Sequence, residues 1–228
     1  MSRKASRPNA KPLPTLTHDD LVRFSQAIEA RFGLHFPEKR WSDLQRGLSL
    51  AFAASTCQDL DHYYHILQDP NTGGLEMDRL ANALTVGETY FFRDAGQFDA
   101  LYHHVLPQLI QRRKSVRTLR IWSAGCASGE EPYSIAMMLH ELLPDVKEWA
   151  ITILATDINT EALARARKAI YSEWAFRETR ARQWRAHYFS SQDGRWALGR
   201  QVKQMVTFHH LNLASDDYPT YETNTCLM

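Results

Sequence analysis

The stretch from Arg120 to Ser134, RIWSAGCASGEEPYS, constrains the fold more than any other part of the chain. An apolar strand candidate runs into Ala124, Gly125, Cys126, Ala127, Ser128 and Gly129, and a helix start follows at once. Small residues at such a turn remove the bulk that keeps a ligand away from the main chain. Pro132 suits the first turn of a helix, where its missing N–H costs nothing. Strand, tight turn and helix N-terminus together form the unit from which α/β sheets build nucleotide cradles.

The spacing Gly-x-x-x-Gly differs from the Gly-x-Gly-x-x-Gly of dinucleotide folds, and the helix opens with Glu130 and Glu131. Two carboxylates there repel a pyrophosphate and suit a ligand carrying positive charge, such as a sulfonium or an α-amino group. S-adenosylmethionine therefore fits this loop better than NAD or ATP. A plainer reading also accounts for the acids, which favour the helix dipole in any tight strand-to-helix turn.

The next apolar run, Trp149 to Ile158, carries Asp157 near its end, and a helix is expected from about Thr160 to Ile170. An acid ending the second strand of a Rossmann-like sheet is placed to bind a ribose. It comes about thirty residues after the loop, beyond the roughly twenty of dinucleotide folds, a difference that the region of Pro144 can absorb. Asp157 is equally suited to cap the helix that follows.

Four segments then resemble one family, the CheR-type chemotaxis-receptor protein-glutamate methyltransferases. They are Thr85 to Arg93 (TVGETYFFR), Trp122 to Ser134, Ala155 to Asn159 (ATDIN) and His210 to Leu213 (HLNL). The resemblance runs from about Leu16 to the C-terminus. It implies an N-terminal all-helical domain followed by a Rossmann-like α/β domain with a small inserted β-subdomain, and S-adenosyl-L-methionine as cofactor. It implies that Gly87, Thr89 and Arg93 lie against the cofactor, that Glu131 reaches its methionine or ribose end, that Asp157 binds the ribose, and that Asn212 and Leu213 border the adenine. Gly87 stands where the family often has Asn or Gly, so any side-chain contact made there by relatives is absent, while a backbone contact remains open.

Methyl transfer to a glutamate needs no general base, because the attacking oxygen is already ionised near neutral pH. Consistently, the sequence offers no Ser-His-Asp arrangement, no His-Glu-x-x-His and no Cys-x-x-Cys pair. Arg93 is the candidate catalytic residue, a guanidinium fork that positions the attacking carboxylate or that of the cofactor. Tyr90, Phe91 and Phe92 either wall the cofactor or plug the sheet. His103 with His104, and His209 with His210, are adjacent pairs whose side chains diverge, so neither makes a chelate and no metal is expected.

A chain of 228 residues with 44% hydrophobic residues and a net charge of +1 is an ordinary globular one, with no charge signature of nucleic-acid binding. No run is long enough for membrane insertion, and Cys57, Cys126 and Cys226 form neither a disulfide framework nor a metal pattern, which points to the cytoplasm. Residues 1–14 read as a disordered basic tail. Residues 15–84 read as a helical receptor-recognition domain, with apolar stripes Leu21, Phe24, Ile28, Phe32 and Trp41, Leu44, Leu48, Phe52. Lys39, Arg40 and Arg46 either meet acidic receptor helices or are a solvated face. Residues 85–228 read as a partial methyltransferase domain.

Within that domain, about 185–206 is expected to be the β-subdomain. Tyr188-Phe189, Trp196 to Gly199, Gln201-Val202 and Met205 to Phe208 are its short strands around an Asp193-Gly194 turn. The family resemblance adds the cytoplasmic helices of methyl-accepting chemoreceptors as partners; for this subdomain it leaves open a receptor C-terminal peptide added at the edge strand, as in some members, or a surface hairpin without a partner. Thr225 to Met228 falls where a relative enters its fourth sheet strand. The expectation is therefore a sheet incomplete at the C-terminus, inactive in transfer or completed by another chain. Two other functions are compatible with the residues: a receptor-binding module with a vestigial cofactor site, and an NAD-dependent oxidoreductase, against which the glycine spacing and Glu130-Glu131 argue.

Overall fold

The computed structural model describes residues 14–69, 73–85, 87–215, 218 and 225–227; the basic tail expected over 1–14 lies almost wholly outside them, as do Asn71 and Thr72. The chain divides into two compact units at Val86 and Gly87, the first taking back Asn212–Asp216.

The first unit is helical. α1 (His18–Phe32) opens with a capping box in which Thr17 and Asp20 bond each other's backbone N–H, and it ends at Gly33 with φ 67°. A 3₁₀ turn (Glu38–Arg40) leads into α2 (Trp41–Ala54), followed by α3 (Leu60–Gln68), capped by Asp59, and α4 (Gly74–Leu84). Phe24, Ile28, Leu44, Leu48, Phe52, Tyr63 and Leu80 fill the shared core, as their helical spacing requires. At Gly47 an added Cβ would lie 2.5 Å from Leu84 Cδ2, so α2 and α4 approach closely there. Arg40 and Arg46 both pair with Asp43, at 3.4 and 3.0 Å, which leaves the cationic face of α2 partly neutralised.

The second unit begins with α5 (Ala95–Ala100), a π-helical turn (Leu101–Val105) and α6 (Leu106–Arg113). The Leu106 N–H reaches back five residues to the Leu101 carbonyl. Pro107 explains the wider turn: it has no N–H for the His103 carbonyl, and its ring crowds that oxygen. Next come β1 (Thr118–Ala124), α7 (Glu130–Leu142), β2 (Ala150–Asp157) and α8 (Thr160–Lys168). β3 (Ile170–Tyr171), α9 (Thr179–Tyr188), β4 (Phe189–Gln192), β5 (Arg195–Leu198), α10 (Arg200–Lys203), β6 (Val206–His210) and β7 (Thr225–Leu227) complete the order.

A parallel sheet of order β6-β2-β1-β7 carries the cradle, and an antiparallel sheet of order β3-β5-β4 stands as the β-subdomain. β1 and β2 pair from Thr118 with Ala150 to Ala124 with Thr156, so the two strands end side by side. Their C-terminal ends are where an open α/β sheet binds ligands.

The structure corrects the expected β-subdomain. Gln201 and Val202 are helical in α10, Arg185 to Tyr188 belong to α9, and Val206 to Phe208 join the large sheet. Conversely, Ile170, expected to end a helix, pairs with Ala197 instead, because Ala169 turns left-handed with φ 54° and stops α8. Thr225–Leu227 is already a strand, paired in parallel with Arg120–Trp122, so the fourth strand does begin within this chain.

Candidate cofactor site

The cradle is built by backbone. The Gly125 and Cys126 N–H groups both donate to the Thr156 carbonyl, at 2.8 and 2.9 Å, which folds the loop after β1 onto the end of β2. Gly125 has φ 76° and Gly129 φ 92°, conformations that suit glycine. Around Gly125 no atom lies within 4 Å of where a Cβ would stand, so the main chain there faces open space. Gly129 is the opposite case, with Ala166 Cβ 3.0 Å and Phe208 Cζ 3.2 Å from the same point. One glycine leaves room for a ligand and the other lets α7 start against α8 and β6.

Asp157 locks this turn. Its Oδ2 accepts the Ala127 N–H at 2.7 Å and its Oδ1 accepts the Asn159 N–H at 2.7 Å. The cap of α8 is Asn159, whose side chain accepts the Ala162 N–H, so Asp157 is not the helix cap that the sequence alone allowed. Ala127, with φ 46°, is held in a left-handed conformation by that bond.

Glu131 accepts a hydrogen bond from Ser123 Oγ at 2.6 Å, and burial holds its carboxyl above the ordinary range. Among the described residues it forms no ion pair, so a half-buried acid at the start of α7 is uncompensated by a cation. Glu130 is 4% exposed, accepts from Ser128 Oγ at 2.7 Å, and is pushed up to about 7 by burial. Cys126 is buried, and desolvation raises its thiol well above the usual value, which makes it a small packing residue.

The segment before the sheet is pinned to α7. The Phe92 N–H donates to Ser134 Oγ at 3.2 Å, and Ser134 in turn donates to the Glu130 carbonyl. Phe91 and Phe92 are buried, Phe92 with φ 58°, and both sit in the core, so they plug the sheet. Arg93 is exposed, donates to the Glu88 carbonyl at 2.6 Å and lies 5.9 Å from the Tyr90 ring centroid. Thr89 is half-buried, and a Cβ on Gly87 would lie 3.3 Å from Arg165 Nη2. Asn212 belongs to the first unit, where its amide donates to the Arg31 carbonyl at 2.7 Å and its Oδ1 accepts from Ala214 N–H; Leu213 is 44% exposed.

Sequence reasoning missed Ser123, Ser128, Ser134 and Arg165, which hold or face the acids of the cradle. Only the buried face of β1, on which Leu119, Ile121 and Ser123 alternate, carried a signal for Ser123.

Titration of Glu130 gives a testable pH effect. The unfolded chain ionises this carboxyl in the ordinary range, whereas the fold keeps it protonated up to about 7. Between those values the native state binds more protons, so stability falls as pH rises, by roughly 3 kcal/mol over the window, and levels off above it. Glu131 adds to the same sign. Urea unfolding of Glu130→Gln is expected to show a flatter pH dependence and greater stability than the parent at about pH 8. An unchanged slope would mean that the buried carboxyl is not the source.

The site meets the demands of a sulfonium nucleoside: open main chain at Gly125, an acid on the second strand and a half-buried acid without an ion pair at the helix start. Residues 87–223 match the family described as CheR methyltransferase, SAM binding domain. The chain is 33% identical over 208 residues to the chemotaxis protein methyltransferase of Borreliella burgdorferi, covering 90% of this chain and 73% of that protein. It is 31% identical over 198 residues to chemotaxis protein methyltransferase 2 of Vibrio cholerae, with 87% and 68% covered. Against the chemotaxis protein methyltransferase of Escherichia coli K12 it is 30% identical over 200 residues, with 86% and 66% covered.

Proposed function

Because the chain belongs to the CheR methyltransferase family and carries its S-adenosyl-L-methionine-binding domain, we propose that it methylates glutamate side chains of chemoreceptors, giving methyl esters. S-adenosyl-L-methionine, when bound, supplies a methyl group on a sulfonium, which an ionised carboxylate oxygen takes without a general base. The chain's own residues then have to bind, orient and exclude water.

The observation that carries the reading is the uncompensated acid Glu131 beside the open main chain at Gly125. A cationic ligand there relieves the cost of a partly desolvated carboxylate, whereas a phosphate would add to it. Asp157, already fixed by two backbone N–H groups, is oriented to accept ribose hydroxyls without losing rotamer freedom on binding. Gly87 and Thr89 border the cofactor, and Arg93, exposed on the pinned segment, presents its guanidinium to a carboxylate. No helix among the described residues is long and apolar enough to cross a membrane. The partners proposed are the cytoplasmic helices of methyl-accepting receptors.

Incubation with methyl-labelled S-adenosyl-L-methionine and a receptor cytoplasmic fragment tests the substrate. The expected label sits on glutamate and leaves as methanol in mild alkali, as an ester does. Alkali-stable label on lysine or another nitrogen would refute glutamate as the acceptor.

A further inference from the structure

Arg177 sits in a setting that cofactor binding does not explain. Its guanidinium carbon lies 3.4 Å from the Tyr90 ring centroid and 3.5 Å from that of Trp174, and the two rings stand at 80° to each other, so the group sits in the corner between them. A guanidinium held in such a corner by cation–π contact still has N–H groups for a ligand. Among the described residues those N–H groups donate no hydrogen bond, and the one carboxylate near them, Glu88 Oε1 at 4.0 Å, makes only a loose, exposed ion pair that a bidentate carboxylate would displace. The group meets solvent, because the Arg177 side chain is 34% exposed and Trp174 is 48% exposed.

The corner is rigid and adjoins the cradle. The Phe91 N–H donates to the Ala175 carbonyl at 3.0 Å, tying the Tyr90 segment to the 3₁₀ turn Glu173–Phe176 that carries Trp174. Phe92 is bonded to Ser134 on α7, the helix that opens with Glu130 and Glu131. Arg93 shares the Tyr90 ring, so two guanidinium groups converge on one aromatic beside the proposed cofactor site.

We infer that Arg177 is a specificity-determining residue that receives a side-chain carboxylate of the protein substrate, adjoining the glutamate to be methylated. The inference rests on the reading that the acceptor is a glutamate on a helix. A planar carboxylate matches the guanidinium fork bidentately, and the two rings already restrain the arginine, so less side-chain entropy is lost on binding. Acidic residues one helical turn apart have Cβ atoms about 5–6 Å from each other, and Arg93 and Arg177 both contact the Tyr90 ring, so a pair of such acids has two guanidinium groups to meet.

The test is a double-mutant cycle on the 228-residue chain. One probe is a synthetic helical peptide with glutamates one turn apart, and the other is the same peptide with one of them changed to glutamine. The parent chain is expected to bind the first at least about tenfold more tightly, as loss of a charge-assisted hydrogen bond implies. Arg177→Gln is expected to bind both equally and weakly. Arg177→Lys, which keeps the charge but loses the fork, is expected to recover only part of the difference. S-adenosylhomocysteine affinity, measured in parallel, is expected to be the same in all three chains; its absence in the parent would sink the cofactor reading and leave the peptide cycle to be judged by itself. Equal discrimination between the two peptides by parent and Arg177→Gln, or no binding of the acidic peptide by the parent, would overturn the role given to Arg177.

Discussion

Asp157→Ala is expected to lose S-adenosylhomocysteine binding by about a hundredfold or more and to destabilise the second unit by about 2–4 kcal/mol. Both carboxylate oxygens are used by the fold, one on the Ala127 N–H and one on the Asn159 N–H. Removing them leaves two donors without their charged acceptor and releases Ala127 from its left-handed conformation. The loop that should meet the cofactor then has no fixed shape. Asp157→Asn keeps an acceptor but loses the charge, and it should fall between parent and alanine on both readouts. Urea unfolding and calorimetric titration separate the two effects. Full affinity in a destabilised Asp157→Ala would place the ribose elsewhere.

The second large effect is expected at Gly129. A left-handed alanine costs about 1–2 kcal/mol, and overpacking a well-filled contact adds about 1–3 kcal/mol. Gly129→Ala incurs both, with φ 92° and a new Cβ 3.0 Å from that of Ala166 and 3.2 Å from Tyr133 Cε2. A total loss near 3 kcal/mol is therefore expected in urea unfolding. Gly125→Ala provides the contrast: its backbone strain is similar in kind, but its Cβ enters open space. Its loss of stability should be smaller and its loss of S-adenosylhomocysteine affinity larger than the stability change accounts for. If the two alanine variants behaved alike, the division of labour between the glycines would be wrong.

Much of this architecture was legible because the relevant residues obey local rules. The apolar run Ile153 to Ala155 had to be buried, and the small residues between Ala124 and Gly129 had to turn. The helices of the first unit follow from their stripes and from caps at Thr17 and Asp59. Other features depend on contacts remote in sequence. Gln201-Val202 reads as strand by composition, but Val202 is buried in the core on the short helix α10. Ile170-Tyr171 becomes a strand only because Ala197 and Trp196 lie opposite, 27 residues away at the Ile170 pair, a partner that no local window of sequence contains. Both roles of Asp157, ribose ligand and helix cap, were compatible with its place after a strand; the second is removed because Asn159 caps α8, while Asp157 reaches across 30 residues to Ala127. Ser128 and Ser134 carry no recognisable pattern, since a serine is chosen there for the one acid or amide it meets.

The central claim is that the ends of β1 and β2 hold the cofactor. Titration of the isotopically labelled chain with S-adenosylhomocysteine, followed by amide resonances, tests it most directly. The account predicts that the largest shifts fall on Gly125 to Glu131 and Asp157, with little change along β4 and β5. Largest shifts on β4, β5 or α9, with the Gly125 to Glu131 amides unmoved, would contradict it.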